Sequence, residues 1–270
     1  MKYTSTRSAS IITTFEDAIF SGYAPDGGLY VPIELPIIGT DELQKWSSLG
    51  YVHLAYEIFR YFIDEEEISN GCLREICSSS FEGFDHPSHA VPVVKVGNFF
   101  ISELFHGPTY CFKDLGMRVT VGLLSHFASI RMRRITLVVS TTGDTGPAAV
   151  KAVADLANPL LTILVHYPKG QISSFQRKQM TTIKSKMVKV AEFEGGGDDM
   201  DKPIKSLLAK QDKISEGHYL CGVNSYNFAR PMAQIVHHVR TSFCLFVFYP
   251  LPHLSHILIF YPDMDLLENN

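Results

Sequence analysis

Between Ile135 and Arg240 the chain alternates short apolar runs with longer helical stretches, a rhythm that few architectures accommodate. Ile135–Val139 and Leu160–Val165 contain no charged residue, are rich in branched aliphatic side chains and are too short for helices. That is the pattern of strands buried on both faces. Further strands are expected at 187–193 and 219–223, and helices at 147–156, 173–182, 202–210 and 227–240. Repeated strand–helix units of this length predict an α/β fold, with a parallel sheet covered by helices.

The flanking segments read differently. From Asp41 to Asp64, the residues Leu43, Trp46, Leu49, Leu54, Ile58 and Phe62 recur at helical spacing, and Asp64-Glu65-Glu66-Glu67 reads as the start of another helix. Residues 1–92 are therefore expected to form a mainly helical N-terminal domain that ends in a loop with Gly83, Pro87 and Pro92. Strands 93–96 and 99–105 follow around a Gly97-Asn98 turn, and a helix is expected over 110–130. Residues 93–240 make up the α/β domain. From Thr241 to Pro262 there is no Asp, Glu, Lys or Arg, and neither helix nor strand periodicity is visible. Pro250, Pro252, His253 and His256 interrupt this stretch and argue against a membrane span, so 241–270 is expected to be a divergent hydrophobic tail.

Composition narrows the partners. With 46% hydrophobic residues and a formal charge of −4, the chain can bury a core and shows no basic stripe for nucleic acid, so a small molecule is the expected ligand. The five cysteines are widely spaced without a CxxC pair, which predicts reduced thiols and no zinc site; Gly195 to Asp201 lacks the ligand spacing of a calcium loop. No metal is expected. HExxH and GxSxG motifs are both absent. Residues 1–15 lack the apolar core of a secretory signal, which makes a cytoplasmic location the expectation and secretion without a signal peptide the alternative.

Three segments carry residues suited to chemistry. In Gly107-Pro108-Thr109-Tyr110-Cys111-Phe112-Lys113-Asp114, Lys113 falls in the first turn of a helix whose buried face is Phe112, Leu115, Val119, Leu123 and Phe127. An amine beside the positive end of a helix is a candidate nucleophile, although most such lysines are surface residues. In Ser140-Thr141-Thr142-Gly143-Asp144-Thr145-Gly146-Pro147, glycines, free amides and the hydroxyls of Thr142 and Thr145 lie between a strand and a helix that Pro147 is expected to open. Such a junction suits a carboxylate or phosphate; ordinary capping of a βα turn is the plainer explanation. In Cys221-Gly222-Val223-Asn224-Ser225-Tyr226-Asn227-Phe228-Ala229-Arg230, an amide, a hydroxyl and a guanidinium at another strand end could clasp phosphate, or Asn224 and Ser225 could simply cap the helix.

Taken together and in order, these segments resemble threonine synthases. The likeness extends through Ser5-Thr6-Arg7, Phe15-Glu16-Asp17-Ala18-Ile19, Asp26-Gly27-Gly28-Leu29-Tyr30-Val31-Pro32, Tyr167-Pro168-Lys169-Gly170-Gln171-Ile172-Ser173 and Gln179-Met180-Thr181-Thr182. It spans about residues 3 to 240 and is closest to the animal threonine-synthase-like proteins of the second type. The resemblance implies an incomplete fold-type II pyridoxal 5'-phosphate (PLP) enzyme. Lys113 would be the Schiff-base lysine, with Asp144 also at the cofactor. Thr142, Gly143, Asp144, Thr145 and Gly146 would face the substrate carboxylate and the cofactor ring, and Asn224, Ser225 and Arg230 would hold the substrate phosphate.

The implied chemistry is a carbon–oxygen phospho-lyase acting on O-phosphohomoserine or O-phosphothreonine, a small phosphorylated amino acid, to give 2-oxobutyrate, ammonia and phosphate. Two departures stand out. Thr142 replaces the family's usual Ser, which retains the hydroxyl. After Arg240 the family's Ser-Gly-Asn-Phe-Gly-type phosphate loop and the Ser or Thr against the pyridine nitrogen are missing. The chain is thus expected to be a truncated or alternatively ended form, catalytically impaired and weak in PLP binding, with exposed apolar surface open to association. The competing reading is a non-catalytic product that acts through its surface as a binding or secreted signalling factor.

Overall fold

A computed structural model of the chain describes residues 1–86, 90–97, 99–196, 199, 201–208, 210, 217–248 and 257–260. The N-terminal region opens with a small antiparallel sheet in the order β2-β1-β3, formed by β1 (Tyr3–Ser5), β2 (Ile12–Thr13) and β3 (Tyr30–Pro32). Four helices accompany it: α1 (Phe15–Ser21), α2 (Thr40–Trp46), α3 (Tyr51–Phe59) and α4 (Asn70–Ser80).

The acidic run at 64–67 does not initiate a helix. It forms a turn from which the Glu67 carboxylate accepts the amides of Phe15 and Glu16 at 3.3 and 2.9 Å, supplementing the Thr14 cap of α1. Carboxylates favour the positive end of a helix, and here the helix served lies some fifty residues away in sequence, a pairing that local pattern does not show. The true cap of α4 is Ser69, whose side chain accepts from the Cys72 amide.

After the hairpin of β4 (Val93–Val96) and β5 (Phe99–Glu103) comes the long helix α5 (Lys113–Arg131). The α/β succession then runs β6 (Arg134–Ser140), α6 (Thr145–Leu156), β7 (Leu161–Pro168), α7 (Ser174–Thr181), β8 (Val188–Phe193), α8 (Asp201–Leu208), β9 (His218–Gly222) and α9 (Ala229–Phe248). Its four strands pair in the order β8-β7-β6-β9, parallel throughout, with Ile135 opposite both Leu161 and Tyr219. The chain steps outward from β6 to β7 to β8 and then returns to the other side of β6. Strand order therefore reverses between β6 and β9, and in open α/β sheets the crevice outside the carboxyl ends of two such strands is the usual ligand position.

The core is continuous across residue 92. Leu115, Val119, Leu123 and Phe127 of α5 are fully buried, as the helical spacing predicts, and the core also takes in Tyr3, Phe15, Ile19, Met232 and Phe243. Phe15 and Phe20 lie with ring centroids 6.5 and 6.3 Å from Phe127, and Tyr3 packs edge-on to Phe228 at 5.1 Å. Each such side chain contributes about 1.5–3 kcal/mol on burial, so the N-terminal region and the parallel sheet stabilise one another.

Arg240 does not mark a structural break, contrary to the sequence expectation. Helix α9 continues through Phe248; Thr241 is buried with its hydroxyl 2.8 Å from that of Ser102, and Leu245 is 1% exposed. Helical periodicity is hidden in this stretch because every position is uncharged and no polar face sets off the buried one. Further on, β10 (Ile257–Phe260) adds to the edge of β5 in parallel. The rest of the expected tail lies outside the described residues. Among those described, no helix is long and apolar enough to cross a membrane.

Candidate active site

The loop leaving β6 is built around Thr141, one residue before the threonine singled out from sequence. Its buried hydroxyl accepts the amides of Gly143 at 3.1 Å and Gly146 at 3.0 Å and donates to the Gly143 carbonyl at 2.7 Å. Thr142 is exposed, while Asp144 and Thr145 are half-buried. Helix α6 begins at Thr145 behind Asp144, two residues earlier than Pro147 suggested; a proline in the first turn costs little because its missing N–H would have no helical partner. At both glycines a side chain would crowd its neighbours. A side chain at Gly143 would meet the Gln176 amide at 2.8 Å, and one at Gly146 would meet Met180 at 2.4 Å.

Lys113 is the first residue of α5, two residues beyond Cys111, and the preceding Tyr110 adopts a positive φ of 60°. Its Nζ lies 3.5 Å from the Asp144 carboxylate and 4.6 Å from the centroid of the Phe112 ring, with the side chain 25% exposed. The amine therefore reaches the carboxyl edge of the sheet, where ligands enter. Beneath it, Asp114 is buried and accepts the Thr109 amide and hydroxyl, each at 2.8 Å. Burial pushes the Asp114 carboxyl up to about 6 even though these hydrogen bonds pull the other way. Burial, with the Asp144 carboxylate beside it, likewise pushes the Cys111 thiol up to about 12, so it stays protonated and is a poor nucleophile.

Across the crevice, Asn224 donates to the Ser140 carbonyl at 3.0 Å and ties the β9 loop to the end of β6. Ser225 is exposed. Arg230 lies deeper, 2% exposed, with Nη1 on the Val223 carbonyl at 3.0 Å and no partner for Nε among the described residues. Burial lowers its pKa to about 10, partly offset by Cys111 and Asp114, so it remains a cation at neutral pH. Neither Asn224 nor Ser225 caps α9. That role falls to Asn227, fully buried, which accepts the Ala229 amide and donates to the carbonyls of Ile19 and Gly222.

The structure thus brings Lys113 and Asp144 into contact, sets Thr142, Gly143, Thr145 and Gly146 along the same loop, and places Asn224 and Ser225 on the facing loop with Arg230 beneath. Sequence reasoning missed Thr141, Asn227 and Gln176. Of these only Gln176 left a local signal, the Ser173-x-x-Gln176 capping box. Among the described residues, no group of three or more His, Cys, Asp or Glu is placed to hold a metal ion.

A parallel sheet flanked by helices, entered from a helix that starts on a half-buried lysine, places the chain in the fold-type II class of PLP enzymes. Residues 2–81 match the family model described as threonine synthase N terminus. Over 239 residues the sequence is 41% identical to threonine synthase-like 2 of Mus musculus, covering 88% of this chain and 49% of that protein. Among solved structures, PLP-bound threonine synthase from Brucella melitensis superposes with a TM-score of 0.81 at 33% identity, over 91% of this chain and 52% of that one. Yeast threonine synthase gives 0.80 at 32% identity, over 90% and 50%. The chain belongs to the threonine synthase family and spans about half the length of the relatives it matches.

Proposed function

We propose that this chain supplies the lysine-bearing half of a PLP-dependent active site whose substrate is a phosphorylated amino acid, O-phosphohomoserine or O-phosphothreonine. The observation that carries the reading is the Lys113–Asp144 contact at the sheet's switch point, where an accessible amine meets a fixed carboxylate. These residues fit PLP: Lys113 offers a primary amine for its aldehyde, and Asp144 sits within reach of a cationic group. When bound, PLP withdraws electrons from the carbon that bears the substrate's amino group. Lys113, once free, is the base placed to hold or move the proton at that carbon. The amides and hydroxyls of Thr142 and Thr145, with the Asp144 amide, suit the substrate carboxylate, since the positive end of α6 favours an anion. Asn224 and Ser225 suit the phosphate, and the buried charge of Arg230 lends them a favourable field.

Loss of phosphate would yield 2-oxobutyrate and ammonia. Residues 241–270 contain no Ser-Gly-Asn-Phe-Gly-type loop, so residues 1–270 on their own are proposed to bind PLP weakly and to be catalytically impaired. The test is release of phosphate and 2-oxobutyrate from O-phosphothreonine, by the 270-residue chain and by the same chain joined after Arg240 to the second half of mouse threonine synthase-like 2. Product is expected only from the joined protein and only with Lys113 present. Turnover by the joined protein that survives Lys113→Ala would overturn the site assignment; Lys113-dependent turnover by the 270-residue chain would overturn the impairment.

A further inference from the structure

We infer that Gln176 is a positioning residue for the active-site amine, acting through Asp144; the inference rests on the assignment of Lys113 given above. Gln176 lies in the first turn of α7, the helix after β7, and is 4% exposed. Its side-chain amide links the capping box to the site. Oε1 accepts the Ser173 backbone amide at 3.1 Å, Ser173 Oγ accepts the Gln176 backbone amide at 3.2 Å, and Nε2 donates to Asp144 Oδ1 at 2.8 Å. The other oxygen of the same carboxylate faces Lys113 Nζ at 3.5 Å.

The capping box fixes which edge of the Gln176 amide faces Asp144. With Oε1 occupied by Ser173, only the NH2 edge is left for the carboxylate, so Asp144 must present an acceptor there and keep its second oxygen for Lys113. Asp144 gains no such restraint from its own helix, because its side chain makes no cap hydrogen bond. Gly143 fits the same arrangement: a side chain there would lie 2.8 Å from Gln176 Nε2 and block its approach. A relay from Ser173 through Gln176 and Asp144 to Lys113 thus couples the loop after β7 to the amine. A neutral donor in this position orients the carboxylate without adding charge beside the amine, whereas a second carboxylate would hold Lys113 more firmly as the ammonium.

The test needs no cofactor. Competitive acetylation by acetic anhydride across a pH series, followed by peptide mapping, reads the reactivity of Lys113 against Lys151 and Lys169 as internal standards. In Gln176→Glu, which keeps the shape but removes the NH2 donor to Asp144, the Lys113 acetylation profile should change by about two- to threefold in rate at a fixed pH while the standards stay fixed. In Gln176→Leu, Lys113 should acetylate about two- to threefold faster at a fixed pH, and this change should vanish when Asp144→Asn is already present, as expected for groups acting in series. An unchanged Lys113 profile in folded Gln176→Glu, or equal effects of Gln176→Leu with and without Asp144, would overturn the inference. Thermal melting identifies any variant that fails to fold, and the isosteric Gln176→Glu and Asp144→Asn proteins retain the test if the leucine variant is lost. Failure of PLP to label Lys113 would remove the cofactor reading but leave these profiles standing.

Discussion

The loops leaving β6 and β9 face each other across one crevice but are held in opposite ways. The backbone turn of the β6 loop is held from within, since Thr141 makes its three side-chain hydrogen bonds to residues two and five positions away, and Gln176 reaches in to the Asp144 side chain. The β9 loop is anchored from a distance, since Asn227 donates to the carbonyl of Ile19, 208 residues earlier, and Asn224 reaches back to Ser140. One wall of the crevice is thus a local motif and the other depends on the N-terminal region being docked. Polar residues within a motif likewise divide into those that build the loop and those left facing outward.

The largest effect is expected at Asn227. Asn227→Ala takes the amide donor from the Ile19 and Gly222 carbonyls, leaving them only the weak Cys221 thiol, and strips the Ala229 amide of its acceptor; it should cost about 4 kcal/mol, at roughly 1–3 kcal/mol for each affected group. Chemical denaturation measures the loss, and hydrogen exchange should show faster opening at 223–228 with 141–146 unchanged. Parallel opening of both loops would contradict the contrast.

Thr141→Val keeps the shape of the side chain and removes its hydroxyl, so a loss of about 2–3 kcal/mol is expected, confined in hydrogen exchange to the β6 loop. A drop below about 0.5 kcal/mol would mean that water replaces the hydroxyl and the loop does not organise itself.

Asp114 gives a pH-dependent signature from beneath the lysine. Its folded carboxyl lies at about 6 against 3.8 for the free group. A raised folded value means that the unfolded chain loses this proton first. The contribution to stability is fully present below pH 3.8 and is lost as pH rises through 6, for a total on the order of 2–3 kcal/mol. Asp114→Asn should abolish this component, which is read as the difference between wild-type and variant denaturation curves from pH 4 to 7. Parallel curves would show that the carboxyl is not perturbed.

Much of this arrangement could be read from the sequence where a signal is local. Uncharged runs at 135–139 and 160–165 fixed two central strands, the spacing from Leu115 to Phe127 gave the buried face of α5, and Lys113 fell at a helix start. What the sequence concealed are pairings across space. Glu67 caps a helix fifty residues away, and Gln176 shows its capping box but not its reach to Asp144. The helical run of α9 past Arg240 lacks polar contrast and so hides its period. The outward hydroxyls of Thr142 and Ser225 could not be told from the inward one of Thr141 without the fold.

The smallest stability effect belongs to those outward groups. Thr142→Ala and Ser225→Ala should each change stability by no more than about 0.5 kcal/mol, as for exposed positions without partners, and any effect should appear in ligand binding instead. A loss near that of Thr141→Val would place them among the loop-building residues.

The central claim, that the crevice between β6 and β9 is a cofactor site served by Lys113, is tested most directly by borohydride reduction of the 270-residue chain in saturating PLP, followed by peptide mapping. The label should concentrate on Lys113, and in Lys113→Ala it should fall to the background shared by the surface lysines. A label spread evenly over Lys113, Lys151, Lys169 and the other lysines, unchanged by Lys113→Ala, would contradict it.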